Sequence, residues 1–394
     1  MQDRTIAQAL HALAAKYPVV TITGPRQSGK TTLCRMVYPD RKYVNLEAPD
    51  VRQFALDDPR GFLAECQEGA VLDEIQRAPE LLSYLQPMVD EDPAPGRFIL
   101  TGSQQFNVRD TLSQSLAGRT GLLTLLPFDW QEIQSFLDVF HADKLMLHGF
   151  YPRLHQMRIH PTQAMADYFE TYVQRDVRQL VQIRNVAAFE RFVRLCAGMV
   201  GQLLNLNSLG NDAGVTHTTA REWISTLEAS YIIFQLPPWH ANISKRLIKT
   251  PKIYFWDVGL ASYLLGLQEE HQVIRDPLRG NLFENMVVAE LFKQHYHQGI
   301  RPRLSFYRES AGNEVDVVIE RGHDLVLLEI KAGQTVSRNY FQGLERFADV
   351  VGERVKGGMV VYGGEKEQRR SSWEVRPIGD IGELLNRVGQ FLTN

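Results

Sequence analysis

Three groups of residues carry spacings that could do chemistry. Gly24-Pro25-Arg26-Gln27-Ser28-Gly29-Lys30-Thr31 is a G-x-x-x-x-G-K-[ST] stretch. Its glycines let the chain wrap closely, so backbone N–H groups from Gly24 through Thr32, Pro25 having none, can point at phosphate oxygens. Lys30 can reach the β- and γ-phosphates of a nucleotide, and Thr31 can offer its hydroxyl to Mg²⁺. Some 40 residues on, the apolar run Ala70-Val71-Leu72 ends in Asp73-Glu74. Asp73 can hold Mg²⁺ through water, and Glu74, pointing the other way, can orient and deprotonate an attacking water. The third group is Asp316, Glu329 and Lys331, a D-x₁₂-E-x-K spacing in which Glu329 and Lys331 share one face of a strand.

The first two groups need a sheet to hold them. Val19–Thr23 reads as a buried strand feeding the glycine loop, and a helical pattern starts at Thr32, Leu33 and Met36. Ile6–Ala15 reads as a leading helix, Lys42–Leu46 as a strand, and Asp50–Cys66 as two short helices. A strand at Phe98–Thr101 ends in Thr101-Gly102-Ser103-Gln104, and Ser113–Arg119 and Gly121–Phe128 read as helix and strand. This alternation predicts an α/β, mainly parallel, three-layer fold. Ser103 and Thr101 can sense a γ-phosphate or hold the lytic water; equally, they can close a turn or cap a helix. Arg119 is either a solvated helix end or an arginine that reaches the γ-phosphate of a neighbouring subunit.

The middle of the chain is helix-rich. Residues 129–186 read as a helical lid, in which Arg153, Arg175 and Arg178 suit a nucleotide, a neighbour or surface salt bridges. Ala187–Val200 and Leu206–Ala213 read as helices, and Thr219 with Glu222 as a capping box opening a third. Strands at Tyr231–Leu236 and Lys252–Trp256 complete the order of a winged helix. His217 and Arg221 would then face a major groove, with Lys245, Arg246, Lys249 and Lys252 in or near the wing. Seven Lys/Arg face four acids between Ala187 and Trp256, a thin surplus for DNA, and winged helices also serve as lids or protein contacts.

At the C-terminal end, a helix at Asn281–Leu291 carries Glu284, and strands follow at Leu304–Arg308, Glu314–Ile319 and Leu325–Lys331. Asp316, Glu329 and Glu284 can converge on one Mg²⁺ or Mn²⁺, with Lys331 beside the reacting phosphate. The bland reading of the same residues is a strand end carrying an E-x-K salt bridge.

GPRQSGKTT, VLDEIQ, LTGSQQF and SLAGR, in this order, resemble the bacterial and archaeal AAA+ ATPases that carry a C-terminal DUF4143 domain. That resemblance implies Walker A roles for Lys30 and Thr31, and Walker B roles for Asp73 and Glu74. It places Ser103 in the sensor 1 segment and Arg119 at the arginine-finger position, hence an oligomer. D-x₁₂-E-x-K resembles the PD-(D/E)xK nucleases, with Val315 replacing the usual proline. The implied organisation is an ASCE/AAA+ P-loop core at 1–128, a helical lid at 129–186, a winged helix at 187–275 and a restriction-endonuclease-like α/β domain at 276–394.

Bulk properties agree with a multidomain protein of 394 residues and net charge −3, whose balance makes no global case for nucleic acid. Three scattered cysteines argue for a reducing compartment and against zinc. The N-terminal stretch lacks a signal-peptide core, and no apolar run approaches the ~18 residues of a membrane span, so a cytoplasmic location is expected. Together these readings predict an ATP- and Mg²⁺-dependent ATPase acting on DNA, with metal-dependent cleavage as a further activity. The alternative is a regulatory ATPase switch whose C-terminal domain is an inert protein-contact module. A small-molecule kinase would use the same loop, but fits poorly with the acidic-pair strand and two further domains.

Overall fold

Val19–Thr23 forms β1, and all five of its residues are buried. A β-branched run buried on both faces suits the middle of a parallel sheet covered on both sides. Four more strands follow: β2 (Lys42–Asn45), β3 (Ala70–Asp73), β4 (Phe98–Gly102) and β5 (Thr120–Thr124). They pair in parallel in the order β2-β3-β4-β1-β5. Alternate residues of β1 enter different cores, as the strand period demands. Val20 and Ile22 pack with Ile6, Leu10, Leu33 and Leu123, whereas Val19 packs with Leu72, Leu85 and Phe98. The structure is a computed structural model that describes residues 3–103, 116–137, 141–177, 185–239, 250–309 and 312–393.

The chain divides into two compact units, the first made of Met1–Phe128 with Ala229–Tyr231 and His295–Arg301. β5 is shorter than the run Gly121–Phe128 suggests, because the chain leaves the sheet after Thr124. Of the predicted helix at Ser113–Arg119, residues 113–115 lie outside the described residues, and 116–119 form a bend and turn rather than a helix.

The second unit begins with helices that include Trp130–Gln134, Ala142–His148, Pro152–Met157 and Pro161–Tyr168. Phe169–Val177 is a π-helix. Helices Val186–Gly198, Leu206–Ala213 and His217–Ala229 precede an antiparallel pair, β6 (Ile233–Leu236) and β7 (Lys252–Phe255). Two expectations are corrected here. The His217–Ala229 helix is capped by Thr216, whose hydroxyl accepts the Thr219 N–H at 3.1 Å, so it starts before the expected capping box. Tyr231 is no strand residue: its φ of 55° turns the chain ahead of β6.

After the long helix Arg279–His297 comes a six-stranded mixed sheet. It comprises β8 (Leu304–Arg308), β9 (Glu314–Arg321), β10 (Asp324–Lys331), β11 (Val355–Tyr362), β12 (Gln368–Arg370) and β13 (Trp373–Pro377). Its order is β12-β13-β11-β10-β9-β8. β9 and β10 are joined antiparallel through Arg321 and Asp324, while β10 and β11 run parallel.

Candidate functional site: a phosphate-type cradle and an acidic cluster

The loop after β1 is shaped by glycine. Gly24 has φ 150°, and a Cβ there would run into the Leu125 carbonyl. Gly29, at φ 95°, opens the helix Lys30–Val37 with its carbonyl accepting from the Leu33 N–H at 2.8 Å. Between them Gln27 also takes a positive φ of 62°. Lys30 is buried, and its ammonium donates to the Gly24 and Pro25 carbonyls at 2.9 and 2.8 Å. Burial lowers its pKa, opposed by the carboxylates of Glu74 and Asp73. Arg4, which sequence reasoning missed, supports the loop from behind. It donates to the Ser28 carbonyl at 2.6 Å and the Leu126 carbonyl at 2.8 Å, and lies over the Phe128 ring. Arg26 reaches Glu47 at 4.0 Å.

Parallel pairing through β4 brings the acidic pair to the same end of the sheet. Thr31 donates its hydroxyl to Asp73 Oδ2 at 2.8 Å. Asp73 also accepts from the hydroxyls of Tyr43 and Thr101, so three hydroxyls hold this buried carboxylate among the described residues. Glu74 adopts φ 60°, a left-handed conformation uncommon for a residue other than glycine, and its N–H donates to Thr101 Oγ1 at 3.2 Å. Ser103 donates to Glu74 Oε2 at 3.2 Å, and Gln76 donates to Ser103 Oγ at 3.0 Å and to the Glu74 carboxylate. Thr31 and Asp73 offer hard oxygen donors, the set that suits Mg²⁺. Tyr231 donates to Thr23 Oγ1, one residue before the loop, at 2.7 Å.

Arg119 lies elsewhere. Val19 pairs with Thr120, so Arg119 precedes the start of β5, whereas the cradle follows the end of β1. Five strand residues separate the two ends, roughly 16 Å. The arginine instead holds Asp90, with Nη2 to Oδ2 at 2.9 Å.

In the second unit, the C-terminal residues do come together, but around lysines. Lys331 contacts Glu329 and lies 3.5 Å from Asp316 Oδ2, while Asp316 accepts the Ile330 N–H at 2.8 Å. Glu284 is bound by Lys252 at 2.8 Å and by the Tyr254 hydroxyl. Lys252 also contacts Glu314 and stands 4.0 Å from Asp316 Oδ1. Only 3% of its side chain is exposed, which removes it from the wing surface where its sequence position suggests a phosphate contact. Burial, followed by the Asp316 charge, pushes Glu329 up to about 8 and Glu284 up to about 7. Burial lowers the pKa of both lysines, but their carboxylate neighbours more than offset this. Among the described residues, no three of Glu284, Glu314, Asp316 and Glu329 bring ligand oxygens within 4.8 Å of one another. As arranged, then, this cluster does not fit a divalent ion.

His217 and Arg221 are exposed on the helix His217–Ala229, and Arg153 is exposed in the helical segment before it. Lys245, Arg246, Lys249 and Arg178 lie outside the described residues, as does the Arg175 side chain.

A sequence model of the AAA domain matches residues 16–134, and models of two domains of unknown function match 140–271 (DUF8612) and 279–381 (DUF4143). The uncharacterized proteins Rv2008c of Mycobacterium tuberculosis and Mb2031c of Mycobacterium bovis are each 32% identical over 341 residues. Those alignments cover 86% of this chain and 75% of theirs. The chain belongs to the AAA-like P-loop ATPases with a C-terminal DUF4143 domain. Among solved structures, the Walker-type ATPase PABY2304 of Pyrococcus abyssi has a TM-score of 0.47 at 16% identity. That match covers 67% of this chain and 96% of the other. AMPPCP-bound DnaA of Aquifex aeolicus has a TM-score of 0.30 at 14% identity, covering 57% and 85%.

Within this AAA-like ATPase, the residues that sequence reasoning missed are Arg4, Tyr43 and Gln76. Tyr43 had a signal in hindsight: it sits at the second position of β2, beside the acidic strand, where an aromatic with a hydroxyl can reach across. The DUF4143 portion held no comparable hint of Lys252, since its partners come from 32 to 64 residues further along the chain. No helix among the described residues is long and apolar enough to cross a membrane.

Proposed function

We propose that this AAA-like ATPase hydrolyses ATP at the Gly24–Thr32 cradle and uses the resulting rearrangement to act on nucleic acid. The observation that carries the hydrolysis reading is the pairing of Thr31 with Asp73 beside a Glu74 held out of ordinary backbone geometry by Thr101, Ser103 and Gln76. Gly24, Arg26, Gln27, Ser28 and Gly29 line the phosphates with backbone N–H groups, joined by Thr32 at the helix start, while Pro25, which has no N–H, shapes the turn among them. Lys30 exchanges its loop carbonyls for phosphate oxygens. Thr31 and Asp73 would hold Mg²⁺, which when bound supplies charge to the phosphate oxygens. Glu74 takes the proton of the attacking water, and Ser103 fixes that carboxylate. Arg119 serves the cradle of a neighbouring copy, a reading supported by its distance from its own.

His217 and Arg221 are exposed basic-type groups on the helix read as a winged-helix recognition helix, beside the exposed Glu222, and phosphate contacts would dominate there. Metal-dependent cleavage at Asp316, Glu329, Lys331 and Glu284 requires those carboxylates to gather around a divalent ion. The second reading, a nucleotide switch with an inert contact module, is favoured by the Lys252 ammonium among them. ATPase rates with and without single-stranded, duplex and branched DNA test the first. Stimulation several-fold above background supports it; indifference together with no gel shift at low salt overturns it and leaves the switch.

A further inference from the structure

Lys252 sits where a cation belongs. Its ammonium touches Glu284 and Glu314 and faces Asp316, three carboxylates supplied by one helix and one strand. Phe306 lies beneath it, with the ammonium 5.5 Å from the ring centroid. The backbone that carries it is clamped on two sides. The Leu204 N–H donates to the Pro251 carbonyl at 2.8 Å, and Gly201 and Gln202 bracket Ile253 with bonds of 2.8 and 3.1 Å. Asn285, one residue after Glu284, takes the Phe255 N–H at 2.7 Å and donates to its carbonyl at 3.0 Å. The lysine and its first carboxylate are thus fixed to each other through a side-chain clamp as well as through charge.

We propose that Lys252 is the resident cation of the C-terminal acidic cluster and keeps it closed to divalent metal in the native chain. The carboxylates then become a divalent-cation site only when the ammonium is removed. A lysine brings one charge at hydrogen-bond distance, whereas Mg²⁺ or Mn²⁺ needs several oxygens drawn to about 2.0–2.6 Å. The ammonium and the ion compete for the same oxygens, and the lysine is tethered at high effective concentration. Removing it leaves Glu284 without its lysine and the buried Asp316 with Lys331 alone, an unfavourable state that a divalent ion relieves. The inference rests on reading Glu284, Asp316 and Glu329 as cation ligands.

The test titrates Mn²⁺ into the full chain without nucleotide and reads free Mn²⁺ by electron paramagnetic resonance, with the thermal midpoint followed in parallel. Wild type and Asp316→Asn are expected to hold the same amount of Mn²⁺. Lys252→Met is expected to hold about one equivalent more and to gain several degrees on adding it; Lys252→Met/Asp316→Asn loses both. Mn²⁺ that the wild type holds and Asp316→Asn loses overturns the proposal while leaving the cation-ligand reading intact. A folded Lys252→Met that takes up no Mn²⁺ overturns both. Should Lys252→Met precipitate, the wild-type and Asp316→Asn pair decides alone, equal occupancy supporting the closed site.

Discussion

The molecule builds two clusters from the same ingredients, lysine and carboxylate, and wires them in opposite ways. In the cradle, Lys30 rests on backbone carbonyls, and Asp73 is held by the hydroxyls of Thr31, Tyr43 and Thr101. In the second cluster, Lys252, from the DUF8612 match, and Lys331, from the DUF4143 match, rest directly on the carboxylates. Hydroxyls fix a carboxylate without cancelling its charge, so Asp73 keeps its pull on an incoming cation. Ammonium groups cancel that charge where they stand. One arrangement suits exchange of ions at every catalytic cycle; the other suits permanence.

If the cradle depends on charge arriving from outside, the sharpest break comes from a residue far from it. Arg119→Ala should lower ATP turnover on the order of 1,000-fold with ATP affinity retained. Mixing it with Lys30→Ala, which still carries the arginine but has no competent cradle, should restore part of the rate. No rescue in the mixture would assign Arg119 to its Asp90 pair instead. Glu74→Gln should lower single-turnover hydrolysis by about 100-fold or more while ATP still binds. Turnover retained in that variant removes Glu74 as the base. Lys30→Ala should weaken ATP binding by roughly 10- to 100-fold, the value of a charge-assisted contact, as read by equilibrium titration. Asp316→Asn, by contrast, should leave all three ATP measurements unchanged.

The difference in wiring also explains what could be read from the chain beforehand. Every cradle ligand that was foreseen lies within a short local pattern: a strand, a glycine turn and a helix start for Gly24–Thr32, and an apolar run ending in Asp73 and Glu74. Parallel pairing then brings the two patterns to one end of the sheet, a consequence of alternating strand and helix. Arg4 was not legible, because its value depends on the Leu126 carbonyl, 122 residues away. In the second cluster, strand parity put Glu329 and Lys331 on one face, and the structure has them in contact. What escaped was the occupant. Lys252 looks like one more basic residue beside a hairpin, and only the packing of β7 against the helix Arg279–His297 and β9 turns it inward. The Thr216 cap and the Tyr231 turn were misplaced for a smaller reason. Adjacent threonines make alternative caps that propensity does not separate, and a positive φ at a tyrosine has no sequence signature.

The smallest effect tests the permanence of the second cluster by pH. Glu329 titrates near 8 and Glu284 near 7 in the folded chain, both raised chiefly by burial and then by Asp316. The unfolded chain binds those protons only below the ordinary carboxylate pKa of about 4.3. Folded protein therefore holds more protons than unfolded protein between those limits, and stability falls as pH rises through this window. His155, lowered to about 4 mainly by burial, works against this trend at the acid end, so a bare pH profile mixes the two. The discriminating quantity is a difference. Glu329→Gln keeps the shape of the protonated acid and removes its titration, so its thermal midpoint should match wild type at pH 5 and exceed it by a few degrees at pH 8. Equal midpoints at pH 8 would mean that Lys331 neutralises Glu329 well enough to hold its carboxyl near the ordinary range.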